Sequence, residues 1–195
     1  MTHTAAPPAL PPGLGELLDQ VAERQRLDFG HMASDLKADG SLITACDRWS
    51  DETLVRGLAA LFPQEGVLSE EGEKRVPSTE AYWVVDPLDG TTNFIHGFPQ
   101  YAVSIGLQHR GQITQAVVYD PTRDELFTAS KGGGAYLNNR RIRVAGRIKM
   151  ADTLMATGCP STVLAEVSLT TLAAVRALPR SISNSVPTAL SSVGT

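Results

Sequence analysis

A run of short, closely spaced strands in the middle of the chain constrains the fold more than any other feature. Between residues 102 and 144, segments rich in β-branched and aromatic residues alternate with clusters of Gly, Asp, Asn and Pro. Such clusters mark tight turns. Parallel neighbours would need long crossover connections, so this spacing predicts antiparallel pairing. The predicted strands are 102–108, 113–119, 125–129, 135–137 and 141–144.

Helical patterns precede this run. Apolar residues recur at helical spacing after Gly13, and again from Asp47 to Phe62, where Pro63 ends the pattern. Tyr82–Val85 is rich in aromatic and β-branched residues and predicts a buried strand that ends at Asp86. The overall order of elements predicts an α+β fold. Shorter extended segments are predicted at 42–44 and 67–68.

The chain is predicted to hold one domain and part of a second. Its 195 residues, 42% of them hydrophobic, suffice for a substantial core. After residue 151 the pattern changes to strand, helix and strand. The predicted divisions are a disordered, proline-rich leader over 1–12, an α+β domain over 13–150 and a partial second α/β domain over 151–195.

Composition excludes several classes of protein. The net charge is −4 and no basic run is present, so nucleic acid is not an expected partner. No apolar run is long enough to predict a membrane span. Cys46 and Cys159 lie far apart without CxxC spacing, which indicates reduced thiols in a cytoplasmic protein.

Two aspartates follow the predicted buried strand. Asp86 and Asp89 flank Pro87–Leu88, and a rigid strand end can position such ligands accurately. Both carboxylates, with the Leu88 carbonyl, can converge on Mg²⁺, which prefers oxygen ligands. Two carboxylates about 5 Å apart would repel each other by ~3 kcal/mol at an effective dielectric near 20. We therefore expect a cation or a proton between them.

The residues after Asp89 suit an anion. Gly90 lets the backbone turn closely, so that successive N–H groups can face a phosphate. A helix that began here would strengthen that preference. The hydroxyl of Thr91 can orient a metal-bound water. Together these residues predict magnesium-dependent cleavage of a phosphate monoester.

An ordinary turn is the alternative interpretation, because Pro, Asp and Gly are common turn residues. Two features favour a site instead. Glu70, with Glu71, lies at another strand end and can supply a third carboxylate. Asp47 follows Thr44 and can hydrogen-bond Thr91, although by itself Asp47 is more simply a helix N-cap.

The segment Trp83–Phe94 resembles the signature of the inositol monophosphatase family, a group of Mg²⁺-dependent, lithium-sensitive phosphatases. The resemblance implies a layered αβαβα fold whose first sheet is antiparallel. Members of this family are usually dimers, so the resemblance also implies a possible homodimer. The similarity extends through 42–47, 68–71, 98–106, 131–135 and 192–195.

The resemblance also implies roles for individual residues. Thr91, supported by Asp47, would activate the attacking water, and Gly90 with Thr91 would bind phosphate through backbone amides. The water would attack phosphorus in line, without a phosphoenzyme. Inositol 1-phosphate, histidinol phosphate, and other sugar or nucleotide phosphates are the implied substrates. The implied metal ligands are Glu70, Asp86, the Leu88 carbonyl and Asp89.

One departure from the family pattern affects the expected activity. The family carries a fourth carboxylate in a Trp-Asp motif, whereas the acidic residues after Met150 are Asp152 and Glu166, neither in such a motif. The chain therefore looks truncated, and its activity is expected to be reduced or absent. The alternatives are a regulatory protein, since some bacterial members of the family act on the transcription machinery, and an inactive fragment.

Overall fold

The structure of the chain is a computed structural model that describes residues 10–38, 40–72 and 75–144. The chain divides into two compact units, and the described residues belong almost entirely to the first, Met1–Lys37 with Leu42–Arg143. The predicted second part, 151–195, and most of the predicted leader lie outside the described residues. The helices are α1 (Leu14–Asp28), α2 (Ala45–Leu61) and α3 (Thr91–Ile95), and the strands are β1 (Ser34–Leu36), β2 (Leu42–Thr44), β3 (Gly66–Ser69), β4 (Ala81–Asp89), β5 (Ala102–His109), β6 (Gln112–Asp120), β7 (Glu125–Ser130), β8 (Gly134–Leu137) and β9 (Arg140–Ile142).

Seven strands, β3 to β9, form one sheet in sequence order. Each strand from β4 to β9 pairs antiparallel with the next, which confirms the pairing predicted from the tight turns. The exception is β3, which pairs parallel with β4. A parallel pair cannot be joined by a tight turn, and eleven residues, 70–80, separate β3 from β4 in the sequence. A separate antiparallel pair joins β1 to β2.

Helices α1 and α2 cover one face of the sheet. Alternate residues of a strand point to the same face, and those of β4, β5 and β6 that face the helices are apolar. None of the helices in the described ranges combines the length and the apolar character needed to cross a membrane. The buried cluster between helices and sheet contains Leu14, Leu17, Leu18, Val21, Ala22, Leu54, Leu58, Trp83, Val85, Val103, Ile105, Val117 and Tyr119.

Two predicted boundaries are corrected by the structure. Helix α2 begins at Ala45, because Thr44 is its N-cap and accepts hydrogen bonds from the N–H groups of Cys46 and Asp47. Asp47 is therefore not the N-cap. It is the third helical residue and completes a capping box by accepting a hydrogen bond from the Thr44 N–H.

Strand β4 continues through Pro87 to Asp89 instead of ending at Asp86. Proline has no N–H to contribute to a ladder, yet its backbone remains extended, and the register with β5 shifts between Asp86 and Asp89. In a regular strand, residues three apart face opposite sides of the sheet. The irregularity breaks that alternation at the two aspartates.

We expect Leu54→Ala to lower the free energy of unfolding by about 2–5 kcal/mol, because Leu54 is completely buried in the cluster between helices and sheet. Leu27→Ala is the matched control, since Leu27 lies on α1 with 71% of its surface exposed. Urea unfolding followed by circular dichroism measures both. Equal losses for the two variants would contradict the described core.

Candidate metal and phosphate site

The candidate site begins where β3 ends beside Val85, within the last half of β4. Ser69 pairs with Val85 in the parallel ladder, and the N–H of Glu70 donates to the Val85 carbonyl at 2.9 Å. Glu70 and Asp86, the next residue of each strand, therefore meet at one edge of the sheet. The Glu70 side chain is 50% exposed and Asp86 is half-buried, so the site opens to solvent.

Asp86 lies beside two other carboxylates, those of Glu70 and Asp89, whose negative charges act on it. Burial raises the pKa of its carboxyl, and the charge of Glu70, a hydrogen bond with Glu70 and the charge of Asp89 raise that pKa further, to about 8. The Leu88 N–H donates to Asp86 Oδ1 at 3.1 Å and acts in the opposite direction. In the absence of a cation Asp86 therefore binds its proton more tightly than an isolated aspartate does, which favours the proton among the two outcomes expected from the crowded carboxylates.

A hydrogen-bonded chain of side chains joins α2 to the start of α3. The Thr91 hydroxyl lies 2.7 Å from Asp47 Oδ1, the predicted hydrogen bond, and 3.2 Å from the Leu88 carbonyl oxygen. The other oxygen of Asp47 accepts from the N–H and the hydroxyl of Thr44. Asp47 is only 1% exposed, so its orientation is fixed. A hydroxyl whose hydrogen is engaged still offers lone pairs to a further donor.

Gly90 places the backbone where an anion can approach. Its φ is +92°, and a Cβ at this position would lie 2.9 Å from the Gln100 carbonyl oxygen. Glycine alone adopts this conformation in this space without strain. Helix α3 begins at Thr91, and the first N–H groups of a helix have no partners within it.

The sequence analysis did not predict the contacts that two residues, Gln25 and Lys37, make around the site. The Gln25 side chain, fully buried on α1, donates to the Pro87 carbonyl at 2.8 Å and holds the backbone between the aspartates. Its polar side chain at an apolar position of the helix is the signal that would have found it. Lys37 was interpreted as part of a turn, but its Nζ lies 2.5 Å from Glu71 Oε1 and 3.7 Å from Glu70 Oε1.

The metal-ligand candidates are neighbours, but they do not converge. In the described part of the chain, no three Asp, Glu, His or Cys side chains are placed so that they could hold one ion together. Glu70 instead shares a hydrogen bond with Asp86, and Asp89 is exposed at the end of β4. Their oxygen donors and excess negative charge nevertheless fit a hard divalent cation that would displace the proton of Asp86.

Comparisons with known proteins agree in their result. Residues 9–192 match the inositol monophosphatase family. The chain is 45% identical over 137 residues to inositol-1-monophosphatase of Mesorhizobium japonicum, covering 68% of this chain and 52% of that protein. It is 44% identical over 149 residues to Nus factor SuhB of Pseudomonas aeruginosa, covering 75% and 54% respectively. The chain thus spans about half the length of the curated relatives it matches.

Solved structures show the same likeness. The extragenic suppressor protein suhB of Bartonella henselae superposes with a TM-score of 0.72 at 35% identity, covering 83% of this chain and 65% of that one. An IMPase of Thermotoga maritima gives a TM-score of 0.71 at 28% identity, covering 78% and 60%. The α+β fold predicted from the sequence is therefore confirmed.

We expect Asp86→Asn to stabilise the metal-free chain at high pH. The folded-state pKa of Asp86, about 8, lies above the ordinary value of 3.8, so the folded state binds this proton more tightly than the unfolded state. Stability therefore falls as pH rises from about 4 to 8. In EDTA at pH 8.5 the variant should melt about 3 °C or more above the unaltered chain, a shift of ~1 kcal/mol at this size. At pH 4 the difference should nearly vanish.

Asp35→Asn serves as the control, because the Asp35 side chain is 70% exposed on β1. Its melting temperature should change little at either pH. An Asp86→Asn variant that melts below the unaltered chain at pH 8.5 would show that the carboxylate is compensated in another way.

Proposed function

Because the chain belongs to the inositol monophosphatase family, we propose that it hydrolyses a phosphate monoester with Mg²⁺ bound at the end of β3 and β4. The observation that supports this most strongly is the Thr91–Asp47 hydrogen bond of 2.7 Å. It joins residues 44 positions apart on two helices, and it holds the hydroxyl 3.2 Å from the Leu88 carbonyl oxygen, one of the proposed metal ligands. A turn built only from common turn residues would not need such a partner.

The residues proposed to hold the cation are Glu70, Asp86, the Leu88 carbonyl and Asp89. When bound, Mg²⁺ would polarise the phosphate and lower the pKa of the attacking water. The proton of Asp86 would leave as the cation enters, because a coordinating carboxylate must be deprotonated. Metal binding is therefore proposed to be stronger at higher pH.

Thr91 and Asp47 are proposed to move a proton away from the attacking water. The Thr91 oxygen accepts a hydrogen bond from the water while its own hydrogen stays directed to Asp47 Oδ1. As the bond from water to phosphorus forms, the water proton passes to Thr91 and the Thr91 proton passes to Asp47. The ester bond breaks on the opposite side, and the leaving alkoxide takes a proton from solvent. Thr44 keeps the second oxygen of Asp47 in place throughout.

Gly90 and Thr91 are proposed to bind the phosphate through their backbone N–H groups. The close approach of this backbone depends on the positive φ of Gly90, which other residues adopt only with strain. The start of α3 adds the favourable end of a short helix for an anion.

Inositol 1-phosphate is the first substrate we propose, because a relative that is 45% identical is named inositol-1-monophosphatase. Histidinol phosphate and other sugar or nucleotide phosphates are further candidates. A cytoplasmic location belongs to the same proposal, since the buried Cys46 is a free thiol.

A regulatory role in transcription is the second candidate function. It is favoured by the 44% identity to Nus factor SuhB of Pseudomonas aeruginosa. The test is a pull-down with purified RNA polymerase, in which Asp89→Asn should still bind if the role is independent of catalysis. No retention of either form on the polymerase would remove this candidate.

We expect Thr91→Val to lower kcat for phosphate release from inositol 1-phosphate at least 100-fold at millimolar Mg²⁺, because valine keeps the shape but removes the hydroxyl. Thr91→Ser should stay within about tenfold of the unaltered chain, since it keeps the hydroxyl. Colorimetric detection of inorganic phosphate measures all variants.

Thr92→Val is the matched control, because Thr92 is the next residue of α3 and is exposed. It should leave kcat nearly unchanged. A Thr91→Val variant with kcat close to that of Thr92→Val would contradict the assigned role of Thr91. Phosphate release by the unaltered chain that does not exceed background would contradict the proposed function itself.

A further inference from the structure

The backbone between the two aspartates of the candidate site lacks partners in the sheet. The register of β4 with β5 is interrupted between Asp86 and Asp89. The two residues inside the interruption, Pro87 and Leu88, have no opposite residue on β5, and both are buried. Backbone polar groups in such a segment need hydrogen-bond partners from elsewhere, because leaving them unsatisfied in the interior is costly.

A glutamine on α1 supplies the partner of the Pro87 carbonyl. Nε2 of Gln25 donates to this oxygen at 2.8 Å and to Ser50 Oγ of α2 at 3.3 Å. Gln25 and Ser50 are both completely buried, so the position of the amide is fixed between the two helices. The Oε1 atom of Gln25 is buried too, and it has no hydrogen-bond partner among the described residues. The contribution of this amide therefore lies in what its N–H groups bind, since an unpartnered oxygen in the interior is unfavourable.

The peptide unit that Gln25 binds also contacts Asp86. In a trans peptide, the C=O and the N–H of the next residue point in opposite directions. The Pro87 carbonyl points to Gln25, so the Leu88 N–H points the other way. That N–H donates to Asp86 Oδ1 at 3.1 Å. Gln25 thus fixes a peptide plane that orients the Asp86 carboxylate on one side and leads into the Leu88 carbonyl on the other.

We propose that Gln25 is a positioning residue that makes this site selective for Mg²⁺ over the larger Ca²⁺. The inference rests on the proposed function, because it assumes that Asp86 and the Leu88 carbonyl are ligands of a divalent cation. Mg²⁺ demands nearly ideal octahedral geometry with short bonds, whereas Ca²⁺ accepts longer and more variable ones. Ligands on a fixed backbone can keep the short distances that Mg²⁺ needs, and ligands that shift freely can expand around Ca²⁺.

Gln25→Met removes the donor with little change in the length or volume of the side chain. Without its hydrogen bond the Pro87 peptide can rotate, and both ligands that depend on it lose their fixed positions. The affinity for Mg²⁺ should therefore fall roughly 10- to 100-fold, the usual effect of losing a partner that orients metal ligands. The affinity for Ca²⁺ should fall less than about threefold, because Ca²⁺ tolerates a displaced ligand.

Mn²⁺ is the probe for these affinities in the full chain. The free Mn²⁺ signal in electron paramagnetic resonance gives the Mn²⁺ affinity, and displacement of bound Mn²⁺ by Mg²⁺ or Ca²⁺ gives the other two. Gln20→Met is the matched control, because Gln20 lies on the same helix and is exposed. It should leave all three affinities unchanged.

Melting temperatures in EDTA separate positioning from mere support of the fold. Gln25→Met and Gln25→Leu both remove the unpartnered Oε1 from the interior, but both leave the Pro87 carbonyl without its donor. These two changes oppose each other, so each variant should melt within about 5 °C of the unaltered chain. Gln25→Leu should show the same loss of preference for Mg²⁺ as Gln25→Met.

A lower Mg²⁺ affinity in both Gln25 variants, with Ca²⁺ affinity and melting temperature nearly unchanged, would support the proposal. Equal losses for the two ions, or no loss for either, would overturn it. It would also be overturned by melting temperatures that fall more than about 5 °C in both variants, since Gln25 would then act through the fold. In all these cases Mn²⁺ binding by the unaltered chain would leave the proposed function standing. An unaltered chain that binds no Mn²⁺ would overturn both.

Discussion

The parallel pairing of β3 with β4 is the constraint on which the candidate site depends. It sets Ser69 opposite Val85, and the ladder continues through the hydrogen bond from the Glu70 N–H to the Val85 carbonyl. A shift of one residue in this register would turn the side chains of one strand to the opposite face of the sheet. The apolar residues on the helix-facing side, Trp83 and Val85 among them, oppose such a shift because they are buried against α1 and α2. The core thereby keeps the backbones of Glu70 and Asp86 side by side at its edge.

A second network connects the fold to the site through Asp47. This residue completes the capping box of α2 with one oxygen and accepts from Thr91 with the other. Its pairing with Thr44 stabilises the helix, and its pairing with Thr91 orients a hydroxyl beside the carboxylates. Gln25 supports the site from α1, because its buried side-chain amide donates a hydrogen bond to the Pro87 carbonyl. The candidate site is therefore supported by both helices of the packed layer.

Negative charge at the edge of the sheet is compensated in three ways. Lys37 pairs with Glu71, the raised pKa of Asp86 favours its protonated form, and Asp89 is exposed to solvent. The raised pKa of Asp86 is the physical consequence of burying one carboxyl beside Glu70. A divalent cation would take the place of that proton, because a coordinating carboxylate must be deprotonated.

Local patterns in the sequence were sufficient to predict much of the fold. Tight turns predicted the antiparallel strands from β5 to β9, and the structure confirms them. The metal and phosphate site indicated by the residues from Asp86 to Thr91 stays a prediction. Long-range features could not be predicted in this way. The parallel placement of β3 depends on tertiary packing, and the contact of Lys37 with Glu71 joins residues 34 positions apart. Thr and Asp are both common N-cap residues, so only the backbone geometry shows that Thr44, and not Asp47, is the N-cap of α2.

Because Asp47 serves both the capping box of α2 and the hydrogen bond from Thr91, a loss of activity in a variant does not separate stability from catalysis. A structural measurement does. Anomalous scattering from crystals of this chain soaked in Mn²⁺ tests the central claim most directly. The account predicts a peak where β3 ends beside β4, within bonding distance of oxygens of Glu70 and Asp86 and of the Leu88 carbonyl. No peak at this edge, or a peak bound by Glu71 in place of Glu70, would contradict it.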